Sequence, residues 1–160
     1  VSIKAAARHK QISSGNEELS VVYVPSTEEN DFEIKLQSAL ERDIFMGSTS
    51  YGPHRDDISF FINGNDVRIY GSQGQQRTAA ICAKLAEIDI IKENTDTSPV
   101  LLLDDVLSEL DKTRQHMLMD CINDVQTIIT CTGIEDSITN YAGNAAIFNV
   151  NNGVIKRETT

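Results

Sequence analysis

Apolar residues recur along this chain in two rhythms, and the change from one to the other divides it into elements. Over residues 31–45, Phe32, Leu36, Leu40 and Ile44 fall four apart, which sets them on one stripe of an amphipathic helix with Asn30 or Asp31 at its N-cap. A longer helical stretch covers 72–93. Its apolar positions, Ala79, Ile81, Cys82, Leu85, Ala86, Ile88 and Ile90, spread over more than one face, so the spacing predicts a helix buried on two sides. Residues 110–125, apolar at 118, 121, 122 and 125, predict a third helix, and Ala-rich 1–13 reads as the tail of another, closed by the turn Ser13-Ser14-Gly15-Asn16.

Between the helices lie short β-branched or continuous apolar runs. Residues 19–24 predict a strand stopped by Pro25. Residues 58–62 and 67–70 flank Asn63-Gly64 and predict a hairpin. Residues 100–103 are apolar throughout and run into two acids, the pattern of a central parallel strand, and 127–130 predict a second buried one. Residues 145–150 and 154–156 predict a closing hairpin around Asn151-Asn152-Gly153. Strand, helix and strand in succession imply an α/β fold with a mixed, largely parallel sheet. There is no internal repeat and no low-complexity segment.

Composition narrows the function classes. With 160 residues, 40% of them hydrophobic, the chain has enough apolar material for one packed core. Its 14 basic and 24 acidic residues leave a formal net charge of -10, which argues against this piece being a main nucleic-acid grip, whose surface would be basic. Cys82, Cys121 and Cys131 form no CxxC pair and read as reduced, structural thiols of a cytoplasmic protein. No apolar run approaches the roughly 18 residues of a membrane span, and no leader pattern is present. The first residue is Val1, and a trimmed piece of a longer protein is the simplest expectation.

Three stretches carry candidate chemistry, and each has a plain structural reading beside the functional one. Leu101-Leu102-Leu103-Asp104-Asp105 presents carboxylates at the C-terminal end of an apolar strand, where α/β folds place ligands; one acid there can hold Mg²⁺ while its neighbour orients a water. The alternative is two solvated acids at a strand edge. Ser108-Glu109-Leu110-Asp111 opens the next helix and has the form of a capping pattern. Gly71-Ser72-Gln73-Gly74-Gln75-Gln76-Arg77 opens the long helix, and Ser72 with Gln75 again makes a capping box. Gly74 inside the first turn costs about 1 kcal/mol against Ala, yet a small residue beside free N–H groups suits the approach of a phosphate. His54 and Arg55 sit beside Pro53 in a turn and read first as structural. Arg77 has two readings, facing phosphate or pairing with an acid.

Order and spacing carry more than any single motif. A glycine-containing helix start, a long helix, an apolar strand ending Asp-Asp, then Ser-x-Leu-Asp resembles the later half of ABC-type ATPases. Within them, Gly52-Pro53-His54-Arg55-Asp56-Asp57, Gly71 to Thr78, and Leu101 to Asp111 resemble RecF proteins, strongly over residues 50–132 and more weakly before. The resemblance implies an ABC-type head of the SMC kind with an inserted helical arm, so that 1–45 end the arm subdomain and 46–160 return to the head. It implies ATP and Mg²⁺ as cofactors, DNA binding in recombinational repair and replication, an ATP-dependent homodimer, and a RecR-type mediator as partner, with no membrane.

Carried over residue by residue, the resemblance makes Asp104 the Walker B acid on Mg²⁺ and Asp105 the catalytic base, where most ABC proteins have Glu. Ser72, Gln73, Gly74 and Gln75 stand at the signature, Gln73 replacing its first Gly, and would face ATP held by the opposite subunit. Ser108 and Asp111 would sit across the dimer interface near the same nucleotide. Two departures stand out. Thr130-Cys131-Thr132 occupies the stretch where many ABC proteins carry a switch His. No GxxxxGK(S/T) occurs: Gly47 to Gly52 is followed by Pro53-His54, so the phosphate loop is expected upstream of Val1. Two other readings compete with an ATPase piece of this family: an acidic protein-interaction domain without turnover, and a different SMC-like head, against which the Gly-Pro-His-Arg-Asp-Asp run speaks.

Overall fold

A computed structural model describes residues 1–132 and 145–158. Helix α4, Gln73–Thr95, is its spine. Thr78, Ala79, Ile81, Cys82, Leu85, Ala86 and Ile88 are buried along it and together occupy about half of the helix circumference at 3.6 residues per turn, as the broad apolar pattern predicts. Against this face lies α1, Ser2–Ile12, which also packs on α5, Lys112–Cys121. Ala5, His9 and Ile12 of α1 and Leu118 and Met119 of α5 complete the packing. Arg8 clips α1 to α4 through Asp89, at 2.9 and 2.5 Å, and also donates to the carbonyl of Cys121 at 3.3 Å. Burial pushes the Cys82 thiol up to about 12 and raises that of Cys121, so both are poor nucleophiles near neutrality.

Strand β1, Leu19–Val24, pairs antiparallel with β2, Asp57–Ile62, from Leu19↔Ile62 to Val24↔Asp57. Asn63 and Gly64, at φ 50° and 79°, turn the chain into a second partner, as Asn-Gly favours. That partner is much shorter than the sequence suggests. Strand β3 is only Asn65–Asp66, and 67–70, read from its apolar residues as strand, is the one-turn helix α3, Val67–Tyr70. The reason is a cap: the Asp66 carboxylate accepts from Arg68 N–H at 2.8 Å and starts a helical turn that buries Val67.

The parallel pair is β4, Leu101–Asp104, with β5, Thr127–Thr130. The continuous apolar run of β4 predicts cover on both faces, but among the described residues only one face has it. Leu101 and Leu103 are buried, whereas Leu102 is 68% exposed and its neighbour Ile128 55%. Strands β6, Phe148–Asn151, and β7, Val154–Arg157, form the expected hairpin, all of it exposed. Helix α2, Phe32–Met46, has the predicted extent, with Gly47 at φ 64° closing it. Of its residues only Ala39 is buried, and Asp31 stands at the N-cap without a side-chain cap bond. The stretch 1–45 is therefore of two kinds: α1 and β1 belong to the common core, and α2 does not.

Candidate functional site

The acidic strand end is built by register. Parallel pairing sets Thr130 opposite Asp104, and the Thr130 hydroxyl donates to Asp104 Oδ1. The chain then leaves the ladder with Asp105 in the left-handed region at φ 51°. For a residue with a Cβ that conformation costs about 1–2 kcal/mol, and Asp tolerates it better than most. Three hydrogen bonds hold it: Asp105 N–H donates to the carbonyl of Thr130 at 3.1 Å and to its hydroxyl at 3.1 Å, and Ser108 Oγ donates to the Asp105 carbonyl at 2.9 Å. Both acids are exposed at the strand's C-terminal end. Among the described residues no cluster of three or more metal-binding side chains occurs. One fixed, exposed carboxylate with solvent around it still fits Mg²⁺, which keeps several waters and takes one or two protein carboxylates besides phosphate oxygens.

At the start of α4 the capping box is complete. Gln75 N–H donates to Ser72 Oγ at 3.2 Å, and Ser72 N–H to Gln75 Oε1 at 2.9 Å. The N–H groups of Gln73 and Gly74 remain at the helix tip, where the helix itself offers no acceptor. Gly74 has a further reason to be small: a Cβ there would lie 3.3 Å from a guanidinium nitrogen of Arg114. Gln76 ties the segment to the turn before it, donating to the carbonyls of Val67 and Gly71 at 3.2 Å each.

The segment after the acids differs from its expected form. Residues Leu107–Glu109 make a short 3-10 turn, and α5 starts at Lys112. Its cap is Asp111, whose carboxylate accepts from Arg114 N–H at 3.0 Å. Ser108, first in the capping-like pattern, points its hydroxyl back to Asp105 instead. The apolar spacing could not tell these apart, because either residue precedes an apolar-periodic run.

The structure links the pieces. Arg77 of α4 pairs with Glu109 of the turn, with 2.7 Å between Nη2 and Oε1, which decides between its two readings. Gln75 Nε2 donates to Glu17 Oε1 at 2.9 Å, and the same oxygen accepts from Arg114 at 3.0 Å. Sequence reasoning singled out Thr130 only as a departure from the switch His, not as a partner of Asp104, and missed Glu17 and Arg114. The paired strand ends carried a signal for Thr130; no local pattern marks the others. His54 and Arg55 form part of a closed turn: His54 Nε2 lies 3.1 Å from the Thr49 carbonyl, to which Arg55 also donates at 2.9 Å. Asp56 fastens it, accepting from Ser26 N–H at 2.7 Å and from the Tyr23 hydroxyl.

No family model matches the chain. Among curated proteins, it is 54% identical over 151 residues to the DNA replication and repair protein RecF of Lachnoclostridium phytofermentans, and 50% identical over 150 residues to that of Lachnospira eligens. The chain belongs to the RecF family, matching its C-terminal part. These matches span 94% of the chain but 42% and 41% of the relatives, so the chain covers about two fifths of the RecF proteins it resembles. A solved structure of the recombination mediator protein RecF with ATPrS, in the RecFOR pathway, superimposes at TM-score 0.67 with 34% identity, over 99% of the chain and 43% of that structure. An SMC ATPase studied for ATP-driven dimerisation and DNA-stimulated activation, 17% identical, superimposes at TM-score 0.58 over 98% of the chain. At that identity the likeness shows the fold alone, which is that of an α/β ABC-type ATPase head. Among the described residues no helix is long and apolar enough to cross a membrane.

Proposed function

We propose that this RecF-family chain supplies the signature, Walker B and D-loop parts of an ATP site in a cytoplasmic protein of DNA replication and recombinational repair. The observation that carries the reading is the fixed pair Asp104-Asp105 at the end of a parallel strand, followed by a turn and helix that Arg77–Glu109 and Gln75–Glu17–Arg114 bridge to the start of α4. In this reading 1–45 end the arm, with α1 and β1 seated on the helices of the head, and 46–160 return to the head. Asp104, oriented by Thr130, would hold Mg²⁺, and the charge that ion would supply is the neutralisation phosphoryl transfer needs. Asp105, set outside the ladder by its left-handed backbone, orients the attacking water and takes its proton. Its side chain is one methylene shorter than Glu, so turnover is slow. Ser72, Gln73, Gly74 and Gln75 turn two unsatisfied N–H groups and polar side chains toward the γ-phosphate on an opposing subunit. Ser108 and Asp111 face the same interface. DNA and a RecR-type mediator bind the full-length protein, on surfaces other than this acidic one.

The test uses that full-length protein. Asp105→Asn is expected to bind ATP normally and hydrolyse it more slowly, and Asp104→Asn to lose binding and magnesium dependence together. Ser72→Arg is expected to load ATP yet fail to dimerise with it. Identical phenotypes for the two Asp variants, or normal ATP-driven dimerisation by folded Ser72→Arg, would overturn the assignment. A protein that associates identically with and without nucleotide would leave a plain interaction domain.

A further inference from the structure

Glu17 lies in the loop between α1 and β1, far in sequence from every motif above, with its side chain 15% exposed. Its Oε1 accepts from Gln75 Nε2 at 2.9 Å and from Arg114 Nη2 at 3.0 Å. The other end of the Gln75 amide accepts from Ser72 N–H, so that amide is held at both ends and cannot turn without losing two bonds. Arg114 is held as closely. It reaches Thr78 Oγ1 at 3.3 Å and the Asp111 carboxylate at 3.4 Å, and lies over Gly74. One carboxylate oxygen thus bonds the first turn of α4 and the first turn of α5 together. Hydrogen bonds to a charged group, largely withdrawn from water, are roughly twice as strong as neutral ones, so displacing either helix start against the other is costly.

We propose that Glu17 is a positioning residue that locks the starts of α4 and α5 into one rigid edge, so that the segments at Ser72–Gln75 and Ser108–Asp111 engage an opposing nucleotide together. The inference rests on the proposed ATP site and goes beyond it, because Glu17 does not itself face the nucleotide and acts only through its bonds to Gln75 and Arg114. An ordinary structural ion pair would affect only stability. A positioning residue affects engagement at constant stability and constant loading.

The experiment compares full-length wild type, Glu17→Gln and Ser72→Arg for thermal melting, fluorescent ATP loading, and dimerisation with Mg-ATP. Glu17→Gln keeps the shape and one acceptor but loses the charge. It is expected to melt near wild type, load ATP within about twofold, and dimerise about tenfold more weakly, the effect of weakening one charge-assisted bond. Combined with Gln75→Ala, its effect on dimerisation should be less than additive, because both changes open the same link. Normal dimerisation by Glu17→Gln beside a monomeric Ser72→Arg overturns this inference alone. Loss of loading, melting temperature and dimerisation in parallel overturns it too, leaving a structural pair. Normal dimerisation by Ser72→Arg sinks the nucleotide reading, and this inference with it. Should Glu17→Gln fail to fold, Arg114→Lys, which keeps the charge but loses the fork, is judged by the same criteria.

Discussion

Helix α4, apolar over more than one face by sequence, and helix α2, amphipathic by sequence, end in opposite circumstances. Helix α4 buries seven residues, chiefly against α1, and Arg8, Arg77 and the Glu17–Arg114 pair bridge to it or beside it. Helix α2 carries a cleaner four-residue stripe and buries only Ala39, leaving Ile44 73% and Phe45 88% exposed. A hydrophobic stripe states that a surface needs cover; it does not state what covers it. Among the described residues the apolar face of α4 finds its cover, and those of α2 and the outer face of β4 and β5 do not.

The largest expected effect tests the covered side. Leu85→Ala should cost about 2–5 kcal/mol in urea unfolding, since Leu85 is fully enclosed and its neighbours cannot collapse into the space. A value near zero would mean that α4 is not the centre of the stable unit.

The next sharpens which residue starts α5. Asp111→Ala should cost about 0.5–2 kcal/mol through the lost cap. Ser108→Ala, which removes one exposed bond to a turn carbonyl, should cost less. A reversal of that order would restore Ser108 as the cap.

A smaller effect comes from His9, buried in the core beside Glu17, with Nε2 3.5 Å from Oε2 and neither ring nitrogen hydrogen-bonded among the described residues. Burial lowers its pKa below the ordinary value, with Glu17 opposing and Arg114 reinforcing the shift. The unfolded chain therefore binds a proton more readily than the folded one. Stability is complete above the unfolded histidine pKa of about 6.5 and is lost as pH falls below it. The melting temperature should drop between pH 7 and pH 5, above the range where carboxylates titrate, and His9→Gln should flatten that slope. An unchanged slope would assign the effect elsewhere.

The smallest effect tests the uncovered side. Ile44→Ser on α2 should change the stability of this chain by less than about 0.5 kcal/mol, as an exposed substitution does. A loss as large as that of Leu85→Ala would show that α2 packs on something in solution.

Much of this molecule was legible locally. The helix spans, the capping box at Ser72 and Gln75, the two Asn-Gly turns and the run Leu101 to Asp105 depend on neighbours within a few residues, and periodicity and side-chain chemistry are enough to specify such contacts. The order of those motifs likewise pointed to the RecF family, which the relatives bear out. Tertiary structure decided what depends on partners distant in sequence. Register brought Thr130 to Asp104, and packing turned Arg77 to Glu109. The Asp66 cap, which makes 67–70 a helix and not a strand, is by contrast a local contact that the apolar pattern of that stretch masked. Above all, Glu17 meets Gln75 and Arg114 across 58 and 97 residues. A lone Glu in a loop has no periodicity to announce it, because its role comes from the two helix ends that folding sets on either side.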